Sequence, residues 1–163
     1  MSRLNRHGVY IVNTFTIGYP VLMTEIEQSL IINRPVAAVF RLYENCSGWP
    51  AWDTELEACS LPDGLEVGSR GWLKPRGAPR ADILISEVTR NRSFTAVGKL
   101  PLCRMCFVHE LEELGSTTRA THRVVFEGPL SFLFRRLIGR GIQKGLPSTM
   151  AGLKKAAEEN GDA

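Results

Sequence analysis

Between residues 56 and 127 the chain passes through six segments rich in β-forming residues, joined by connections of only a few residues. That feature limits the fold more than any other. A parallel pairing needs a crossover of about a dozen residues, whereas an antiparallel hairpin closes with as few as about two. The segments Leu56–Leu61, Ser69–Lys74, Arg80–Val88, Ser93–Leu100, Leu102–Glu112 and Thr117–Glu127 are therefore read as an antiparallel meander. Pro62-Asp63-Gly64, Arg76-Gly77-Ala78-Pro79, Arg90-Asn91-Arg92 and Leu114-Gly115-Ser116 supply turn residues between them.

The flanking segments complete the pattern. Thr24–Asn33 alternates apolar and polar residues, which predicts one more strand. After Arg34-Pro35, the positions Val36, Val39, Phe40 and Tyr43 follow helical spacing, and Ser47-Gly48-Trp49-Pro50 breaks that short helix before another turn at Ala51–Asp53. Gly128-Pro129 opens a long helix, in which Leu130, Phe134, Leu137, Ile138, Ile142, Leu146, Met150 and Leu153 form one stripe. Pro147 is expected to kink it, and Gly139, Gly141 and Gly145 to weaken it by up to ~1 kcal/mol each relative to alanine. The predicted fold class is α+β, a curved antiparallel sheet of about seven strands wrapped around the long C-terminal helix, with two short helices after the first strand.

Composition and charge narrow the function classes. A hydrophobic content of 44% supplies a core without a metal or disulfide staple, and the net charge of +3 is spread along the chain. Basic runs are not interleaved with aromatics, so no nucleic-acid partner is expected. Cys103-Arg-Met-Cys106 has the spacing of a metal or redox pair. It lies within a predicted strand, where residues three apart face opposite ways, and no second pair supplies further ligands. No metal and no cofactor are expected, and reduced Cys46, Cys59, Cys103 and Cys106 suit a cytoplasmic protein. Residues 1–23 are read as an N-terminal extension dispensable for the fold, with a misassigned start codon as its origin and a poor export signal as the alternative. Its apolar stretch from Val9 to Met23 is interrupted by Asn13, Thr14, Thr16, Gly18 and Pro20 and is too short for stable membrane insertion. The domain is placed at residues 24–158, followed by a polar tail at 159–163; the oligomeric state is left open.

The order of elements, with particular residues, resembles the polyketide cyclase/dehydrase branch of the START-like, birch-pollen-allergen-like (SRPBCC) helix-grip superfamily. The residues are Pro35, Trp49-Pro-Ala-Trp52-Asp53, Gly64-Leu-Glu-Val-Gly68, His109-Glu-Leu-Glu112, Thr118-Arg-Ala-Thr-His122, Phe126-Glu-Gly128-Pro129 and Leu146-Pro147 through Ala157-Glu158. The resemblance covers about residues 24–158 and implies a helix-grip fold with an apolar cavity between sheet and helix. Aromatase/cyclases, lipid-transfer domains and ligand carriers share that fold, so it does not by itself name a function.

Strand alternation selects the residues that face such a cavity. In Leu102–Glu112 the odd positions Cys103, Met105, Phe107, His109 and Leu111 are the more apolar, and in Thr117–Phe126 the even positions Thr118, Ala120, His122, Val124 and Phe126. A turn centred on Leu114-Gly115 places Phe107 opposite His122 and Ala120 opposite His109, so that the histidines are diagonal neighbours. Two enclosed imidazoles are candidates for proton transfer in an aldol closure or dehydration, the alternative being core hydrogen bonds. Trp49 and Trp52 close the cavity mouth or cap the core, and Trp72 with Phe94 lines the sheet side, the alternative for either being ordinary core. The ligand-binding set is Trp49, Trp52, Trp72, Phe94, Met105, Phe107, His109, His122, Phe126 and Phe134. Asp53 and Glu55 are expected on a solvated surface, and Arg135, Arg136, Arg140 and Lys144 give the final helix a basic face. The expected function is uptake of a hydrophobic or amphipathic small molecule, such as a lipid, polyketide or aromatic metabolite. A metal-free cyclase/dehydratase is the alternative and a protein- or membrane-interaction domain the second.

Overall fold

A computed structural model describes residues 24–159 of the chain. The expectations for residues 1–23, and for the tail beyond Glu159, lie outside the described residues. Strand β1 (Thr24–Ile32) leads into helix α1 (Val36–Glu44), a single 3-10 turn at Cys46–Gly48 and the short helix α2 (Trp49–Trp52). Six strands follow: β2 (Leu56–Ser60), β3 (Arg70–Pro75), β4 (Ala81–Thr89), β5 (Ser93–Leu100), β6 (Cys103–Leu114) and β7 (Thr117–Glu127). Helix α3 (Ser131–Glu159) closes the chain. The sheet order is β1-β7-β6-β5-β4-β3-β2, with every pairing antiparallel. The meander thus runs unbroken from β2 to β7, and β1 adds to its far edge beside the last strand.

Pro35 caps α1 in an extended conformation, and the stripe Val39, Phe40 and Tyr43 is buried under it. Pro147 lies inside α3, which continues through it. Glycine matters most at Gly152: a Cβ there would stand 1.8 Å from the Trp52 carbonyl oxygen, so only a hydrogen lets α3 lie against α2.

The parity of β6 and β7 holds, but their register differs from expectation by two residues. Leu114 pairs with Thr117, so the loop is the two residues Gly115-Ser116, and His109 stands directly opposite His122. Gly115 has a φ of 69°, the left-handed conformation that a two-residue hairpin turn requires at its first central position. Phe107 consequently faces Val124, and Leu111 faces Ala120.

The core has two parts. The larger gathers Phe40, Tyr43, Trp49, Trp52, Ile85, Phe94, Met150 and Leu153 beneath α1, α2 and the C-terminal half of α3. The smaller sits beneath the N-terminal half of α3 and joins Ile26, Cys103, Val124, Phe126 and Leu146, with Met105, Phe107, Phe134 and Ile142 only half-buried around it. Phe107 touches both parts.

Candidate functional site

Register builds the site rung by rung on the concave face of the sheet. One rung carries Gln28, His122, His109, Phe94 and Val88; the next carries Ile26, Val124, Phe107, Ala96 and Ile85; a third carries Phe126, Met105, Gly98 and Ile83. A polar rung therefore ends an apolar lane that runs toward the start of α3. A Cβ at Gly98 would meet nothing closer than 3.9 Å, which leaves the lane wider there.

At the inner end, the Tyr43 hydroxyl and His122 Nε2 are hydrogen-bonded at 2.8 Å in the buried interior. His122 lies edge-on to His109, with ring centroids 4.4 Å apart, and His109 stacks on Phe94 at 4.0 Å. The Nδ1 of His109 is shut off from solvent and has no hydrogen-bond partner among the described residues. Burial favours the neutral form of each group, because an enclosed charge loses its hydration. Burial lowers the His109 pKa to about 4, against a smaller opposing pull from the backbone of Phe94 and Phe107. His122 falls well below the usual imidazole range, by burial first and by the neighbouring His109 second. The Tyr43 phenol is pushed up by burial. At neutral pH the cluster is uncharged.

The tryptophans stand apart from the lane. Trp49 donates its indole N–H to the Tyr43 carbonyl at 3.1 Å and packs near Phe94, while Trp52 lies edge-on to Tyr43. Both wall the aromatic cluster. Trp72 does not join it. Leu73 packs on the core, so its neighbour Trp72 takes the opposite face, where Arg80 lies over the ring at 4.4 Å. Phe126 is fully buried, and Phe134 covers the lane from α3.

Asp53 departs from the solvated surface expected of it. It is half-buried, accepts hydrogen bonds from the Thr149 hydroxyl at 2.7 Å and the Glu55 amide at 3.0 Å, and burial raises its pKa. It ties the end of α2 to α3.

Sequence spacing gave no sign of the Tyr43–His122 bond, which joins residues 79 apart. Nor did it bring together Cys46 and Cys59, whose sulfurs are buried 2.9 Å apart. Among the described residues there is no group of side chains arranged to hold a metal ion, and no helix long and apolar enough to cross a membrane.

A groove of about 290 Å³ opens between β1 and α3, lined by Glu25 to Gln28, Arg135, Gln143 and Leu146. Ile26 and Leu146 belong both to this groove and to the smaller core cluster, so their side chains stand between the groove and the lane.

The backbone is similar to those of several solved proteins. An aromatase/cyclase, Zhui, from Streptomyces sp. R1128 superposes with a TM-score of 0.70 at 11% identity, covering 83% of this chain and 94% of that one. A norcoclaurine synthase point mutant from Thalictrum flavum, solved with a transition-state analogue, gives 0.68 at 11% identity over 88% and 99%. A START superfamily protein from Mycobacterium smegmatis gives 0.64 at 13% identity over 83% and 97%. At such identities the likeness shows the helix-grip fold alone. No curated protein matches by sequence. The family model described as polyketide cyclase / dehydrase and lipid transport matches residues 23–158, nearly the whole described chain, and the protein belongs to that family.

Proposed function

We propose that the protein binds an apolar or amphipathic small molecule in the lane between the sheet and the first half of α3. The molecule enters by the β1–α3 groove, and a hydrogen-bonding group at its inner end meets the His109–His122–Tyr43 cluster. The observation that carries this reading is the partnerless, enclosed His109 Nδ1, one rung from a smaller core cluster whose Met105, Phe107 and Phe134 are only half-buried. A buried polar atom without a partner costs about 1–3 kcal/mol, so a ligand that satisfies it gains correspondingly.

The same groups weigh against a cyclase. General acid–base catalysis works best with a pKa near the working pH. His109 near 4 and His122, well below the usual imidazole range, are weak bases, and Tyr43 is a poor acid. Carriage needs no such tuning.

Native mass spectrometry of the protein from its own host, with organic extraction of what co-purifies, is the direct test, followed by titration with a fluorescent apolar probe. A saturable single site that Leu146→Trp abolishes is the expected result. An empty protein that takes up no apolar probe overturns the reading.

A further inference from the structure

The start of α3 leaves large apolar side chains in solvent. Phe132 is 68% exposed, Leu137 65%, and Leu133 and Ile138 are more than a third exposed. Leu133, Leu137, Arg140 and Lys144 lie three or four residues apart, with Arg136 beside Leu137, on the outward face of the helix. The helix has no carboxylate before Glu158, and Arg136, Arg140 and Lys144 form no ion pair with any described residue. The β5–β6 turn stands at the start of this helix. Its Leu102 carbonyl accepts the Leu130 amide at 3.3 Å, and its side chain is 70% exposed. Leu102 has a φ of 50°, a conformation that costs a residue with a branched side chain about 1–2 kcal/mol and that Asn or Gly holds more readily. The tip of this turn thus keeps an apolar side chain at the expense of backbone strain, where a polar residue would relieve both.

We propose that this end of the molecule, Leu102 with Phe132, Leu133 and Leu137 framed by Arg136, Arg140 and Lys144, docks on an anionic lipid surface. Charge selects the partner: unpaired cations around protruding apolar side chains match acyl chains below acidic headgroups. The shape agrees. The apolar groups project singly from a convex helix and a turn tip, and a bilayer receives such groups without the matching pockets that a protein partner must supply. The inference does not depend on the ligand lane, whose inner groups lie on the concave side of the sheet.

The test is co-sedimentation of the full chain with phosphatidylcholine vesicles containing or lacking phosphatidylglycerol. Binding only to the anionic vesicles, weakened by salt, is expected. Replacing Arg136, Arg140 and Lys144 together by Gln lowers partitioning on the order of 100-fold, and Leu137→Ser about tenfold. Leu102→Asn separates docking from folding, because it lowers partitioning while raising the melting temperature. Equal sedimentation with both vesicle types overturns the proposal. So does binding that survives these variants and vanishes on removal of residues 1–23, which assigns attachment to the extension. A dimer in sedimentation equilibrium that Leu137→Ser dissociates, with no vesicle binding, overturns it in favour of a second copy of the chain.

Discussion

Acidification should unfold this protein through its histidine rung. In the unfolded chain both imidazoles titrate near 6.5; in the folded one His109 titrates near 4 and His122 well below its usual range. A base whose folded pKa is depressed binds protons more readily unfolded. Its stabilising contribution is full above about pH 6.5 and is lost as pH falls toward the folded value. For His109 alone, lowering the pH from 7 to 5 costs about 2 kcal/mol, and His122 adds a loss of the same sign. A domain stable by about 5–15 kcal/mol loses a substantial fraction of that margin. Asp53 acts oppositely, since burial raises its pKa and so favours the protonated folded form. The assay is the guanidinium midpoint at pH 7, 6 and 5, for the wild type and for His109→Phe. The wild-type slope between pH 6 and 5 should exceed about 1.4 kcal/mol per pH unit, the limit for one histidine, and should fall by about that amount in the variant. A midpoint that stays constant from pH 7 to 5, or a slope that His109→Phe leaves untouched, refutes the reasoning.

Three further outcomes follow from close contacts. Tyr43→Phe leaves His122 Nε2 buried without its partner and should cost about 1–3 kcal/mol by denaturant unfolding; a neutral result would show the bond to be dispensable. Gly152→Ala forces a Cβ against the Trp52 carbonyl and should cost about 3 kcal/mol or more, whereas Gly141→Ala, in open space, should gain up to about 1 kcal/mol; paired melting curves compare them. Exposure to a peroxide should join Cys46 and Cys59 by losing one hydrogen from each thiol, with water as the product, and peptide mapping without reductant should find that link and none between Cys103 and Cys106.

Much of the architecture was written in the period of the sequence. Alternation along β6 and β7 assigned Met105, Phe107, His109, His122 and Phe126 to the concave face, because a strand with one buried side cannot reverse its parity without burying Arg104 or Arg123. Register is a finer property than parity, and it turned on one glycine. Placing Gly115 first in a two-residue loop, as its left-handed φ requires, gives the pairing that a turn centred on Leu114-Gly115 misses. The contacts that make the site were not legible. Tyr43 reaches His122 from another element, and nothing in local spacing fixes how α1 settles on the sheet. Trp72 shows the same limit: being aromatic and on a strand did not decide its face, and its neighbour Leu73 did.

The two halves of α3 are held by unequal means. From Met150 to Ala157 the helix is pinned by fully enclosed Met150 and Leu153 and by the contact at Gly152. Ahead of Pro147 it rests on buried Leu146 and half-buried Phe134 and Ile142, with three glycines, at 139, 141 and 145, in its backbone. The front half should therefore open at lower cost than the rest, and amide exchange should be faster from Leu133 to Ile142 than from Met150 to Ala157. If the proposed guest lies beneath it, release requires that half-helix to open, and residence time then depends on the backbone of α3 as well as on the fit of the guest.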